Sequence, residues 1–470
     1  VNDKNPRQIA FRVLQARHEG DDYTENLLEK ALDPSKTKIS GPDRGLCQEL
    51  VYGIVRSQAT LDWLIAKKTD SRQQNPGIQN LLRLGLYQIF WLDRIPPHAA
   101  VHETVELAKQ EGFGPKSGFI NAILRGYLRE FDATEKALDD LKISNPALGF
   151  SHPQWLVEKW QKRFNNERTS QLLEWNNTPP KTFARCNTLK TDAGKLLEKW
   201  RDENVEYDFV RHSFLADLEN TAFELKSHPP LASLESFQNG WFYIQDPGTL
   251  LAPLDLAPKP GETILDLCAA PGGKTTFIAQ QINNQGKIIA CDIFPDRLKL
   301  IHENCQRLGV TCVEILILPG EFSKNNPYPI AVPSPLPSNG RGEGQGEVRG
   351  HPPFSIFNPL SSKFDRILID APCSNTGVLR RRVDLRWRVS PEEILRLQRT
   401  QLDLLKLAVP MLKPGGTLVY STCSLEPEEN TVVIEEFLRA HPAFKLERQH
   451  ELLPFTDNVD GAFVAKLILV

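Results

Sequence analysis

The sequence predicts an α/β fold: a doubly wound, mostly parallel sheet preceded by an all-α unit and a small α+β connecting unit. Three observations carry this reading. Helical periodicity runs through residues 1–143. Residues 146–240 mix a helix-like pattern with short extended runs. From residue 241 onward, β-branched and aliphatic runs alternate with amphipathic stretches, the pattern of strand–turn–helix units in a parallel sheet.

In the first segment Asn5-Pro6 opens an amphipathic run with Ile9, Val13 and Leu14 on one face. Leu81, Leu82, Leu84, Leu86, Ile89 and Phe90 form a strongly apolar helix, and Pro96-Pro97 breaks it. Val101, Val105 and Ala108 start the next helix, and Phe119, Ile120, Ile123, Leu124 and Leu128 make a last one. In the second segment, Pro153 precedes a helical stretch with Trp155, Leu156, Val157 and Trp160. An extended run over 181–187, a helix over Ala193–Trp200, and strands near Tyr207–Val210 and Gly240–Ile244 complete a small α/β unit.

In the third segment (241–470) Thr263–Leu267, Lys287–Cys291, Arg366–Ile369 and Leu418–Ser421 read as strands, with helices from Thr275 and over Asp296–Leu308. Residues 319–359 hold 9 Pro and 6 Gly in 41 positions, a composition that nucleates neither helix nor strand. They predict a disordered insertion between two core elements; a functional lid is the other reading.

Composition narrows the function. With 470 residues, 40% hydrophobic and 24% charged, the chain can bury real cores. No apolar run approaches a membrane span, and no charged-then-apolar leader opens the chain. The eight cysteines include no CxxC pair, so neither a disulfide scaffold nor a zinc ribbon is expected, and no metal site is assigned. A reducing, cytoplasmic setting is the expectation. Net charge is −3, and residues 1–150 carry 20 basic and 20 acidic side chains, so nucleic-acid binding must come from local patches.

The chemistry concentrates at predicted strand ends, where ligands bind in doubly wound sheets. The first strand runs into Cys268-Ala269-Ala270-Pro271-Gly272-Gly273-Lys274. Gly273-Lys274-Thr275 fits the end of a phosphate loop, but its first glycine is replaced by Cys268, and no dinucleotide glycine pattern is present. The turn is a plain tight turn, or it suits a phosphate-free moiety such as the methionine part of S-adenosylmethionine. Asp292 ends the second strand, where a carboxylate suits ribose hydroxyls. Asp370-Ala-Pro-Cys373-Ser and Thr422-Cys423-Ser end two further strands. A lone cysteine at such an end is usually inert. Two, each followed by Ser on one sheet edge, suggest covalent catalysis. A thiolate added at carbon 6 of a pyrimidine makes carbon 5 nucleophilic toward a methyl donor, and a carboxyl near N3 supports the addition.

The runs DLCAAPGGKT, DAPCS and YSTCSLEPEEN resemble, in order and spacing, the motifs of the RNA cytosine-C5 methyltransferases, the NOL1/NOP2/Sun family. The stretches Leu82–Gln88, Asp93–Lys109 and Asn121–Arg125 resemble a NusB-like RNA-binding domain, a pairing typical of the bacterial Sun/RsmB branch. The resemblance implies a Rossmann-like class I methyltransferase domain (241–470) behind a NusB-like domain (1–143) and a connecting domain (146–240). It implies S-adenosyl-L-methionine as methyl donor and 16S ribosomal RNA as substrate, at cytosine 967 in the standard 16S numbering. Cys423 would be the nucleophile and Cys373 would assist release. Residues Cys268 through Lys274 would hold the donor's methionine part, Asp292 its ribose, and Asp370 would sit between donor and base. A transfer RNA target, or a non-catalytic RNA-binding or ribosome-assembly role, are the alternatives. A monomer acting on free RNA or an assembly intermediate is expected.

Two further features stand out. The family places an adenine-contacting Asp after the third strand; here Ile315–Leu318 is followed by Pro-Gly-Glu321, and Glu321 is the nearest acidic residue. Between Thr376 and Thr400 seven arginines face three acidic residues. Arg380, Arg381, Arg382, Arg386 and Arg388, beside the Cys373 motif, are expected to grip RNA phosphates; a solvated basic loop is the bland reading.

Overall fold

A computed structural model describes residues 5–33, 37, 39–218, 221–318, 354–355, 357–358 and 363–470. They form two compact units. One holds residues up to 179 together with Leu379–Arg388; the other holds the rest of the described chain from Pro180.

The first unit is helical. Its helices are α1 (Pro6–Glu19), α2 (Thr24–Ala31), α3 (Gly41–Arg56), α4 (Gln58–Lys68), α5 (Pro76–Trp91), α6 (Pro97–Gln110), α7 (Ser117–Arg129) and α8 (Phe131–Ser144), followed by two helices that meet at a kink at Asn165 within Gln154–Asn177. Local chemistry sets the starts. Asn5, Ser40 and Asn75 each accept a hydrogen bond from a first-turn backbone N–H, and a proline occupies the first turn after each cap. Helix α5 lies at the centre, with Leu81, Leu82, Leu84 and Leu86 fully buried. Its apolar run is too broad for a one-sided surface helix, and burial on several faces follows.

The second unit contains two sheets. The smaller has order β2-β3-β1-β4, all antiparallel, from β1 (Thr182–Cys186), β2 (Glu206–Phe209), β3 (Ala222–Ser227) and β4 (Phe242–Ile244). Asp192 caps the helix Ala193–Asp202, which buries Leu196 and Trp200 among Phe223, Phe237 and Phe242.

The larger sheet has seven strands: β5 (Thr263–Leu267), β6 (Lys287–Asp292), β7 (Val313–Ile317), β8 (Phe364–Asp370), β9 (Leu412–Thr422), β10 (Phe444–Leu452) and β11 (Ala462–Leu469). Their order is β10-β11-β9-β8-β5-β6-β7. The pairs β5–β6, β6–β7, β5–β8 and β8–β9 are parallel, and β11 runs against β9 and β10. Chain order reverses between β5 and β8, the switch point that opens a crevice at the carboxyl ends. Both faces are covered. Leu265, Leu267, Ile367 and Ile369 join one core, and Ile264, Leu368 and Val419 join the opposite one.

Two expectations change. The proposed insertion is shorter at its C-terminal end. Ser355 O accepts from Ile317 N at 2.9 Å, Phe357 N donates to Ile317 O at 2.8 Å, and Phe357 is buried in the sheet core. One extra bonded rung on β7, with an aromatic anchor, holds this end; Glu321 and the rest of 319–353, with 356 and 359, lie outside the described residues. Strand β9 also begins earlier than expected, at Leu412, with a register shift against β8 before Thr417. No helix among the described residues is long and apolar enough to cross a membrane.

Candidate active site

Four neighbouring strand ends carry the site. The register pairs Leu267 with both Cys291 and Ile369, and Asp370 with Ser421. The parallel sheet therefore delivers the residue after β5, Asp292, Asp370 and Cys423 to one edge.

The turn after β5 is built by unusual backbone. Cys268 has φ +62° and Gly272 has φ +98°, a left-handed conformation in which glycine carries no steric cost. Gly272 N donates to Ala269 O at 2.8 Å, and the helix Gly273–Gln281 starts immediately afterwards. Three side chains hold the turn's carbonyls. Arg297 Nη2 donates to Ala270 O at 2.8 Å, Asn304 Nδ2 to Pro271 O at 2.9 Å, and Arg185 Nη1 to Gly273 O at 3.1 Å. Burial drives the Cys268 thiol well above its ordinary value.

Two carboxylates fit a methyl donor with amino-acid and ribose parts. Asp292 is buried, and its contacts are long: Phe294 N at 3.2 Å, Ala270 N at 3.3 Å and Arg297 Nη1 at 3.4 Å from Oδ1 and 3.3 Å from Oδ2. Lone pairs so weakly engaged have capacity for shorter bonds from hydroxyls. Asp266, fully buried on β5, accepts from Thr275 Oγ1 at 2.6 Å on one oxygen, while its Oδ1 has no partner. An unpartnered buried carboxylate oxygen beside the turn suits an ammonium donor. Burial pushes the Asp266 carboxyl up to about 7. Asp292 is also raised, by burial, against the opposing pull of Arg297.

Asp370 sits between turn and cysteines. Lys274 Nζ donates to its Oδ2 at 2.6 Å, and Ser421 Oγ to its Oδ1 at 3.0 Å. Burial alone would lower the Lys274 ammonium, but the charge and hydrogen bond of Asp370 outweigh it and the lysine lies above its ordinary value. Lys274 is thus an ammonium, drawn toward the Asp370 carboxylate.

The sulfurs of Cys373 and Cys423 lie 3.3 Å apart. Cys423 Sγ also donates to Asn375 Oδ1 at 2.9 Å, and Asn375 Nδ2 donates to Cys373 O. Cys373 is driven well above the ordinary thiol value, first by its hydrogen bond to Cys423 and then by burial. Cys423 is half-buried directly after β9, whereas Cys373 is buried. Gly377 closes the wall. Its N donates to Cys423 O at 3.0 Å, and a Cβ there would stand 2.8 Å from that oxygen.

Sequence reasoning did not single out Asp266, Arg297, Asn304, Asn375 or Glu429. Glu429 lies within the quoted run YSTCSLEPEEN, yet nothing in its local pattern marks it; beside the nearby Ser424, its partners Gln401 and Ser374 stand 28 and 55 residues away. Asn375, directly after the Cys373-Ser374 motif, was the more findable.

The arginine segment needs correction. Arg380 and Arg386 are buried, and Leu379–Arg388 packs within the helical unit. Arg386 donates to Arg56 O at 2.9 Å, Ser151 O at 3.1 Å, Asn177 Oδ1 at 2.8 Å and Asn176 O at 2.9 Å. The Arg380 guanidinium lies 4.0 Å from the centre of the Trp175 ring. Arg388 donates to the carbonyls of Asp21 and Asp22, each at 2.9 Å. These three cations hold protein rather than phosphate, because helix-end carbonyls at the packing seam offer charge-assisted bonds that cannot be left unmade. Arg381 and Arg382 are half-buried. A separate groove of about 710 Å³ in the helical unit is lined by His98, His102, Lys109, Arg125 and Arg129.

Comparison with known proteins places the chain. Residues 253–330 and 350–468 match the family model described as 16S rRNA methyltransferase RsmB/F, residues 4–129 match the NusB family, and residues 152–228 match the RsmF/B-like ferredoxin-like domain. The chain is 34% identical to the probable ribosomal RNA small subunit methyltransferase B of Bacillus subtilis, covering 98% of each. It is 35% identical to the ribosomal RNA small subunit methyltransferase B of Vibrio vulnificus, covering 94% of this chain and 95% of that one. A methyltransferase homologue from Pyrococcus horikoshii shares its fold with a TM-score of 0.54 and 27% identity, over 69% of this chain and 97% of that one. The crystal structure of PH0851 aligns with a TM-score of 0.71 at 22% identity over 98% of both chains, a likeness of fold. With a NusB domain, a ferredoxin-like connector and a donor turn facing paired carboxylates and thiols, the chain belongs to the RsmB/F family of S-adenosylmethionine-dependent 16S ribosomal RNA methyltransferases.

Proposed function

We propose that this protein methylates carbon 5 of a cytosine in 16S ribosomal RNA, at position 967, through a transient bond between Cys423 and carbon 6. The observation that carries the reading is the pair of sulfurs 3.3 Å apart beside the Lys274–Asp370 ion pair.

S-adenosylmethionine, when bound, supplies an electrophilic methyl group. The turn Cys268–Lys274 and Asp266 would hold its methionine part and Asp292 its ribose. Cys423 releases its S–H proton to solvent and adds as a thiolate to carbon 6. The ring's π pair moves to carbon 5, and N3, an acceptor in cytosine, takes a proton from the Lys274–Asp370 pair. Carbon 5, now nucleophilic, would take the methyl group that the bound donor supplies, the donor leaving as its neutral thioether. Solvent water takes the carbon 5 proton. The π pair reforms, the carbon 6–sulfur bond breaks, and the N3 proton returns to the ion pair. Cys373, by donating its S–H, stabilises the departing Cys423 thiolate.

The groove lined by His98, His102, Lys109, Arg125 and Arg129, together with Arg381 and Arg382, offers cations to the RNA backbone. A 16S transcript incubated with the protein and S-adenosylmethionine, then read by bisulfite sequencing, should show one protected cytosine at 967. A transcript left fully convertible would overturn the reading.

A further inference from the structure

Each cysteine of the pair is followed by a serine, and both serines converge on one buried side chain. Glu429 is fully buried in the short turn after β9. Its Oε1 accepts from Ser374 N at 2.8 Å and from Gln401 Nε2 at 3.2 Å. Its Oε2 accepts from the hydroxyls of Ser374 and Ser424. Four donors thus meet an acceptor-only group with about four lone-pair sites. Gln401 also donates to Pro372 O at 2.9 Å, so the residue before Cys373 is held by the same cluster. The Glu429 backbone is fixed in turn, because Tyr420 OH donates to its carbonyl at 2.6 Å. The two serine hydroxyls are 3.1 Å apart, one residue beyond sulfurs 3.3 Å apart.

We infer that Glu429 is the positioning residue that sets the separation of the Cys373 and Cys423 sulfurs. The inference rests on the two-thiol reading of the reaction. Ser374 and Ser424 belong to loops fifty residues apart in the chain; Gly377 N to Cys423 O, Leu425 N to Thr376 Oγ1 and Cys423 Sγ to Asn375 Oδ1 also join these loops, and the residues directly after the two cysteines meet through this carboxylate and between their own hydroxyls. Glutamine fills the same volume but has two lone pairs and two N–H donors. It therefore leaves two of the four donors without an acceptor and loosens both loops. Glu429 lies behind the serines and acts through them.

The test compares wild type with Glu429→Gln, Ser374→Ala and Ser424→Ala, using a 16S transcript and S-adenosylmethionine. One readout is kcat against KM; the other, independent of methylation, is the rate at which diamide links Cys373 to Cys423. A misplacement near 1 Å costs on the order of a hundredfold in rate. Glu429→Gln should therefore lower kcat about a hundredfold, leave KM for both substrates within about threefold, and slow cross-linking at least tenfold. The serine variants, each losing one donor, should fall between and report even if Glu429→Gln fails to fold. Wild-type cross-linking rates in the folded variants would overturn the inference whatever their activity. Slowed cross-linking in a protein whose Cys423→Ala variant still methylates would uphold the clamp and remove the two-thiol reading instead.

Discussion

Asp370 and Lys274 form a 2.6 Å ion pair at the ends of two adjacent parallel strand–helix units, and this pair connects the turn after β5 to the strand end that leads to Cys373. Lys274 stands in the first turn of the helix after β5, while Asp370 ends β8 and is also held by Ser421 of β9. One carboxylate therefore senses three neighbouring elements of the sheet edge.

Replacing Asp370 by Asn should remove the charge that raises Lys274 and keep the shape of the site. Methyl transfer should drop by a factor on the order of 10² to 10⁴, the range of a lost proton-transfer group, with donor binding little changed. Single-turnover kinetics with calorimetry checks both halves.

On the proposed function, Asp292 serves donor affinity rather than chemistry. A hydrogen bond to a charged group is worth about 1.5–3 kcal/mol, so Asp292→Ala should weaken S-adenosylmethionine binding roughly 10- to 100-fold. Titration calorimetry measures this. An unchanged Kd would remove Asp292 from the site.

Arg386 should behave as a structural residue. Its side chain satisfies three backbone carbonyls and Asn177 within the helical unit, so Arg386→Ala should cost more than about 3 kcal/mol of stability. Denaturant unfolding reads the loss. Salt-dependent RNA binding by the folded fraction should keep its wild-type slope; a shallower slope would restore a phosphate contact.

Stability should depend on pH through Asp266 and Glu429. Burial raises each carboxyl to about 7 in the folded protein, from ordinary values of 3.8 and 4.5. Each binds its proton more tightly folded than unfolded. Its favourable contribution is complete below the unfolded value and is lost as pH rises through about 7. The Tm should therefore fall between pH 5.5 and 7.5 by the linkage slope, and Asp266→Asn should shallow that fall. Equal slopes in both proteins would contradict the assignment.

How much of this was legible in the sequence depends on whether the signal is local. Strand ends announce themselves through aliphatic runs stopping at Asp266-Leu-Cys268, Asp292, Asp370 and Cys423, and parallel pairing brings them together. The β10–β11 pair was not read. Seven consecutive exposed residues of β10 follow Phe444, so no alternation marks it as a strand. Arg386 looked solvent-facing because its carbonyl partners, at Arg56, Ser151 and Asn176, are distant in sequence. Glu429 was hidden for the same reason: tertiary convergence gives it four donors, and no spacing along the chain encodes that.

The covalent step is tested most directly by trapping. A 16S transcript carrying 5-fluorocytosine at the target cannot lose a proton from carbon 5, so the sulfur–carbon bond persists after methyl transfer. Wild-type protein and Cys373→Ala should each yield a denaturation-resistant protein–RNA adduct mapping to Cys423, and Cys423→Ala should yield none. An adduct mapping to Cys373, or full methylation by Cys423→Ala, would contradict the assignment.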